Sequence, residues 1–408
     1  MSYAAFLNAT VDRRGRILLA ASALLLMPAA FFRSIGPNGN WKLAHWLFNY
    51  QDEFVKRGLV GDLFRLLGSE VTLTHVVVIS YAFIVLILGM MVYFFSRPVA
   101  RSPEKTGLWW FFLIALTSSA TFQHFNYDVG RFDVFCFALA LLSLRMIRVG
   151  FGVVAAISIL VCMSLVILVH EAAFFMYVPM VVAYWFYRDP DLKHVAPKVL
   201  VATILVVVTY LVSTGGLVET KTLTQYFTEL QLRYGIWVVE DSLRVLYRGG
   251  MRENFLMTLQ RGFRLEGLLS YLLFAAFVLL PLVILVVKFL RLRGGFDNGR
   301  AALIFFVSAL GPLALYPLGF DHFRWWAAAI TNFFVIVALV AYHDADFHDR
   351  LNAVLCGNRP VVLGILLLSL ILGPLGVTDS FTVASDYAYL MRKAVLLAGL
   401  KVGCPKGL

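Results

Sequence analysis

Charge is what this chain has least of. Only 14% of its 408 residues are Asp, Glu, Lys or Arg, against 61% hydrophobic residues and a mean hydropathy of +0.82. So little polar surface excludes a soluble globule of this size and points to an integral membrane protein. Cysteine is scarce too. Cys136, Cys162, Cys356 and Cys404 form no CxxC pair and mostly lie in or beside apolar runs, so they read as small packing residues rather than a zinc site or disulfide framework. Nucleotide motifs are missing: there is no GxxxxGK[ST], and no GxGxxG between a strand and a helix. No fixed-period repeat and no low-complexity linker divides the chain, so 1–408 reads as a single membrane domain. The net charge of +11 first serves orientation and contact with anionic lipid, and nucleic acid is not expected as a partner.

What the chain has in abundance is apolar runs. Many are roughly 17 to 22 residues long, enough to cross about 30 Å of hydrocarbon as a helix, so the expected fold is an all-α polytopic bundle and not a β-barrel. The first run, Ile17 to Phe32, follows Arg13, Arg14 and Arg16 and mimics a signal peptide. Pro28 and Phe31-Phe32-Arg33 make a poor cleavage site, so it reads as a retained span with the N-terminus inside. Further runs at about Thr72–Phe95, Leu108–Thr121, Phe132–Leu144, Val153–Val169, Ala172–Arg188, Val199–Val212, Leu268–Val287, Ala301–Leu318, Trp326–Tyr342 and Val361–Leu375 bring the expected count to eleven. Arg97, Arg101 and Lys105, then Arg145 and Arg148, then Lys193 and Lys198, then Lys288, Arg291, Arg293 and Arg300 all fall inside on this count, as the positive-inside rule requires.

Two outer loops are long, the first at 34–71 and the fourth at 213–266, and both carry aromatic and charged residues in amphipathic patterns that suit interfacial helices. Gly215-Gly216 and Gly249-Gly250 bracket the helix expected in the fourth. Beyond Asp379 an apolar stretch among basic residues reads as an interfacial helix or a partial twelfth span.

Four polar clusters stand at the ends of apolar runs, and the topology puts all of them on the outer side. They are Asp52-Glu53-Phe54-Val55-Lys56-Arg57, then Asp128-Val129-Gly130-Arg131-Phe132-Asp133, then His170-Glu171, then Asp321-His322-Phe323-Arg324-Trp325-Trp326. Charges kept at membrane depth usually pair or line a wet cavity. The blander reading is ordinary ion pairing: Asp52 with Lys56 and Glu53 with Arg57 at i,i+4, Arg131 with its flanking acids, and an aromatic belt at Trp325-Trp326. The functional reading is an acid, Asp52 or Glu53, that takes a proton from an acceptor hydroxyl, while Arg57, Arg131 and Arg324 hold a phosphate that their planar forks can grip bidentately. His343, Asp344, Asp346, His348 and Asp349 look metal-like, but they fall at an inner helix exit and read as a solvated loop.

The first outer loop after span one, with its acids at positions 52 and 53, resembles that of polytopic GT-C-type glycosyltransferases and the related Wzy-like and EpsG-like polysaccharide polymerases. The resemblance covers the topology and that loop. This chain has neither their large soluble C-terminal domain nor a clean acidic Asp-x-Asp pattern at 52–54. The resemblance implies transfer of a sugar or oligosaccharide from a polyprenyl-phosphate or pyrophosphate donor to a glycan or lipid acceptor, on the outer face of a bacterial cytoplasmic membrane. Asp52 or Glu53 would be the base, and Arg57, Arg131 and Arg324 would stabilise the leaving phosphate. His170-Glu171 would orient the acceptor or the base, and Lys56, Asp128, Asp133, Asp321 and His322 would complete the substrate site. No cofactor is implied with certainty; a divalent cation is left open, with no ligands assigned. A transporter or flippase predicts mid-membrane charges and matching broken halves, which this chain does not have. An outer-face O-acyltransferase would use His170-Glu171 on a hydroxyl, and a pure scaffold would not need four polar clusters at one depth.

Overall fold

The computed structural model describes residues 10–35, 40–149, 152–235, 238–247, 251–261, 271–292, 299–319, 321–371 and 374–375. Among the described residues the secondary structure is entirely helical, as the apolar runs demand. Among the described residues six helices are long and apolar enough to cross a membrane: Arg13–Arg33, Leu73–Arg101, Val195–Gly215, Tyr271–Arg291, Gly299–Leu318 and His322–His343. A seventh candidate is the pair Ala345–Gly357 and Arg359–Ile371, bent by 83° at its break. The remaining apolar runs are helices too, but shorter: Thr106–Thr117, Asp133–Val149, Val153–Val169 and Ala173–Arg188. At 1.5 Å per residue, the 12 residues of 106–117 span only about 18 Å, well short of the hydrocarbon thickness.

Local chemistry sets the helix starts. Asp12 accepts a hydrogen bond from the Gly15 N–H at 2.8 Å, and Thr72 one from His75 at 3.2 Å, so each satisfies a backbone donor that has no partner within its helix. In the fourth loop Thr222 and Gln225 form a reciprocal capping box that starts Leu223–Tyr234. Asp344 does the same work for Ala345–Gly357, accepting from Phe347 N at 3.0 Å. This corrects the solvated-loop reading of 343–349: the segment turns directly into a helix, His348 is buried against the Pro98 carbonyl at 3.2 Å, and Asp349 pairs with Lys105.

The helix His322–His343 is the axis of the bundle. It is buried along nearly its whole length and packs against 73–101, 173–188, 299–310 and 345–357. Such a helix is apolar all round because no face meets solvent or lipid, and Ala327, Ala328 and Ala329 let its neighbours approach closely.

The first long loop is not a simple interfacial helix. It is three short pieces, Asn40–Leu43, a 3-10 turn at Ala44–Leu47, and Leu59–Leu66. Trp46 and Phe48 are fully buried, with the Trp46 indole donating to the Gly130 carbonyl at 2.7 Å. Helix 59–66 lies so close to that stretch that a Cβ on Gly61 would sit 2.2 Å from the Phe48 carbonyl oxygen. Leu63, Leu66 and Leu67 keep an exposed apolar edge. The Gly249-Gly250 bracket, Cys404 and the tail beyond Asp379 lie outside the described residues.

Candidate functional site

The end of the 322–343 helix that carries Arg324 gathers polar side chains from four separate segments. The first comes from the long loop between the first two spans. Arg57 is the one non-glycine residue at positive φ (66°) among the described residues, an uncommon conformation that the surrounding structure must hold. It aims the guanidinium at Glu171, with Nε and Nη2 donating to the two carboxylate oxygens at 3.0 and 2.7 Å. Glu171 adjoins His170, whose Nδ1 is 3.6 Å from its Oε2. On its other side His170 Nε2 lies 3.0 Å from Arg324 Nη2. A guanidinium can only donate, so Nε2 is the acceptor in that contact, while Nδ1 faces both the Ala172 N–H at 3.3 Å and Glu171.

Arg324 is the best-anchored cation of the group. Its Nε and Nη2 grip Asp133 at 2.6 and 2.5 Å, and its Nη1 reaches Asp321 at 3.0 Å. Asp321 in turn meets Arg131 Nη1 at a long 3.5 Å, and the Arg131 guanidinium lies over the Trp41 ring at 5.0 Å. The chain Arg57, Glu171, His170, Arg324, Asp133 with Asp321, and Arg131 is therefore continuous. Gly130 makes its last turn possible: its φ of +93° is a left-handed conformation, and a Cβ there would stand 2.9 Å from Leu43 Cδ2.

Burial and charge decide protonation outside the spanning helices. Burial lowers the pKa of His170 to about 4, with Arg57 and Arg324 adding to the effect and Glu171 opposing it. Burial also pulls His45 well below the usual imidazole range, with Arg57 and Arg131 adding to the effect. Both rings are neutral at pH 7. For Glu171 burial pushes upward, but Arg57 and the His170 hydrogen bond more than offset it, and the carboxyl stays well below the ordinary range.

The expected site residues divide into two groups. Arg57, Arg131, Asp133, His170, Glu171, Asp321 and Arg324 come together in the chain just described. Asp128 stands beside it, 3.8 Å from Lys42 Nζ and 3.8 Å from His124 Nδ1. Asp52 and Glu53 occupy a different place, a polar cleft of about 40 Å³ lined with Lys221, Tyr226, Glu229 and Arg233. Asp52 pairs with Lys221 at 2.7 Å. Glu53 accepts from the backbone N–H groups of Glu219 and Thr220 and from the Thr220 hydroxyl. What burial Glu53 has raises its pKa, but these three donors outweigh that and hold it below the usual carboxylate range.

Residues 51–57 are not helical, so neither i,i+4 pair across them forms: the partners are supplied by the fourth loop and by Glu171. Lys56 is buried, and its N–H donates to the Gly216 carbonyl at 3.0 Å, tying the same two loops together. His322 is engaged elsewhere, hydrogen-bonded through Nδ1 to the Tyr271 hydroxyl and stacked on Tyr316 at 4.4 Å. Trp325 is buried inside the bundle rather than forming a belt.

Two site residues gave no sequence signal that we weighed. Lys42 and His45 stand three apart in the stretch Trp41-Lys42-Leu43-Ala44-His45-Trp46, the spacing that puts two side chains on one helical face, and both are buried beside the arginine chain. Among the described residues no group of three or more His, Cys, Asp or Glu side chains is arranged to hold a metal ion. An apolar cavity of about 70 Å³, lined by Phe111, Phe289, Phe305, Phe333, Phe334 and Phe347 among others, opens farther along the 322–343 helix. Comparison with protein-family models, with curated proteins and with solved structures gives no match to this chain, so its functional reading rests on the chemistry of its own residues.

Proposed function

We propose that this chain is a membrane glycosyltransferase or polysaccharide polymerase that takes a sugar or oligosaccharide from a polyprenyl-phosphate or pyrophosphate donor. Transfer would occur on the outer face of a cytoplasmic membrane that the chain crosses several times, N-terminus inside. The observation that carries the reading is the joining of Arg57, Arg131 and Arg324, from three distant segments, in one buried chain at one end of the axial helix. Such an array suits a phosphate oxyanion, which guanidinium forks bind with geometric specificity.

The roles are unequal. Arg57 and Arg324 are each held bidentately by a carboxylate, so they set the field of the site. Arg131, with a single long ionic contact, is the cation positioned to receive the donor phosphate. His170 and Glu171 fix the two anchored guanidiniums. The acceptor hydroxyl attacks the anomeric carbon, the bond from that carbon to the phosphate oxygen breaks, and its electron pair leaves with the phosphate as Arg131 stabilises the charge. Asp321, the partly exposed acid beside Arg131, takes the acceptor proton, while Asp52 pairs with Lys221 and Glu53 holds the fourth loop, both in their own cleft.

The test is sugar transfer by purified protein from a polyprenyl-phosphate-linked donor. Asp321→Asn should lose about a hundredfold to ten-thousandfold in rate at equal folded amounts, the usual cost of removing a general base. Arg131→Lys should also be impaired, because a point charge cannot reproduce a planar fork. Full activity in Asp321→Asn would move the base to Glu171 or to the first-loop acids Asp52 and Glu53. A wild type that transfers nothing from any lipid-linked sugar, yet moves a solute across liposomes, would replace the proposal with a transporter.

A further inference from the structure

Beside the arginine chain, Nε2 of His45, Nε of Arg131 and Oδ2 of Asp128 are buried without a hydrogen-bond partner among the described residues, and the first two are nitrogens. Both side chains belong to residues more than nine-tenths buried, at 6% and 8% exposure. Both also rest on the same indole. The His45 ring meets Trp41 edge-on at 4.5 Å, and the Arg131 guanidinium lies over Trp41 at 5.0 Å. We propose that His45 and Arg131, gathered on Trp41, form a phosphoryl-binding subsite in which His45 acts as a neutral N–H donor.

A buried polar atom without a partner forfeits its bonds to water, so these two nitrogens, on one aromatic platform beside the arginine chain, mark a place that a ligand can complete. The surrounding charges say what sort of ligand. Facing His45 are Arg57, Arg131, His170 and Glu171, and facing Arg131 are Arg324, Asp321, Asp128 and Asp133; Arg57 and Arg324 hold Glu171 and Asp133 bidentately, and Asp321 meets Arg131 only at 3.5 Å. Arg131 can only donate, so a metal ion or ammonium has no partner on it. A phosphoryl group, with several acceptor oxygens, can take one bond from each nitrogen.

Access lies on the Asp321 side. Its carboxylate is 30% exposed and holds Arg131 only at 3.5 Å, so an oxyanion can replace it there without disturbing the Asp133–Arg324 pair. The inference rests on the phosphate reading of the arginine chain and extends it to residues that the reading did not include.

The experiment measures anion binding by the full-length protein in detergent or nanodiscs, independently of sugar transfer. Inorganic phosphate and pyrophosphate are titrated calorimetrically, and the His45 ring nitrogens are followed by NMR in histidine-labelled protein. Wild type should bind pyrophosphate with movement of the His45 Nε2 resonance. His45→Phe, which keeps an apolar ring, should weaken binding about tenfold or more, the loss of one hydrogen bond to a charged group. His45→Gln, which restores an N–H donor, should recover most of it. Nanodiscs containing phosphatidylglycerol identify the source: weakened pyrophosphate binding relative to phosphatidylcholine assigns the subsite to a lipid phosphate, and unchanged binding assigns it to the free anion. A wild type that binds neither anion and whose His45 resonance moves with neither anion nor phosphatidylglycerol overturns the subsite, as does equal binding by His45→Phe. The resonance decides the matter even if His45→Phe does not fold. Anion binding that follows these expectations in a protein with no sugar transfer would leave the subsite standing and remove the glycosyltransferase instead.

Discussion

Asp133→Asn is the substitution whose consequence follows most directly from the structure. Asp133 and Arg324 have side-chain exposures of only 3% and 4%, and they meet through two hydrogen bonds of 2.6 and 2.5 Å. The local charges balance: Arg57, Arg131 and Arg324 stand against Glu171, Asp133 and Asp321. The amide keeps the shape but leaves the group one positive charge in excess, and it turns an N–H₂ toward a guanidinium that can only donate. Breaking a buried pair from one side costs about 3–5 kcal/mol, because the remaining charge stays dehydrated and unpaired. Arg324 retains Asp321 at 3.0 Å, so the expected loss lies at the lower end, about 3 kcal/mol, or more than a hundredfold in the folding equilibrium. Reversible unfolding in mixed detergent and SDS micelles, followed by circular dichroism, measures it. Glu70→Gln is the control, since Glu70 and Arg233 form a pair exposed at 67% and 51% and its loss should cost no more than about 1 kcal/mol. The double variant Asp133→Leu with Arg324→Met should be less destabilised than Asp133→Asn, because it removes both charges together. If Asp133→Asn costs no more than Glu70→Gln, the pair is not sealed from water and the argument for a dehydrated cation chain fails.

Two further outcomes can be measured on the same preparation. The folded pKa of His170, about 4, lies below the ordinary value of 6.5, so the unfolded chain binds more protons between those values. Stability should be flat above about pH 6.5 and fall as the pH drops toward 4, by about 1.4 kcal/mol per pH unit for each such histidine; His45 acts in the same direction, and His170→Gln should reduce the slope. A profile that does not steepen below pH 6.5 would show that these rings are hydrated. For orientation, Gln51→Cys and Thr214→Cys, both at exposed positions, should react with an impermeant thiol reagent in intact cells while Glu104→Cys does not; the reverse pattern would invert the proposed orientation.

The sequence by itself determined the helical class, the position of most long apolar helices and the four places where charge interrupts the apolar runs, because hydropathy and helix starts are properties of neighbouring residues. Val153–Val169 was legible to the residue, and Arg57, Arg131 and Arg324 stood out as guanidiniums at the ends of apolar runs. Which acid meets which base was decided only by the tertiary structure. Arg57 lies four residues after Glu53 yet pairs with Glu171, 114 positions away, because the non-helical 51–57 segment does not bring i and i+4 onto one face. Asp133 follows Arg131 by two residues yet serves Arg324, while Arg131 turns toward Asp321. His45 was silent in sequence for the same reason. A lone histidine in an aromatic stretch acquires meaning only when a distant arginine closes on the same indole, and that approach depends on how the segments pack, which no local pattern records.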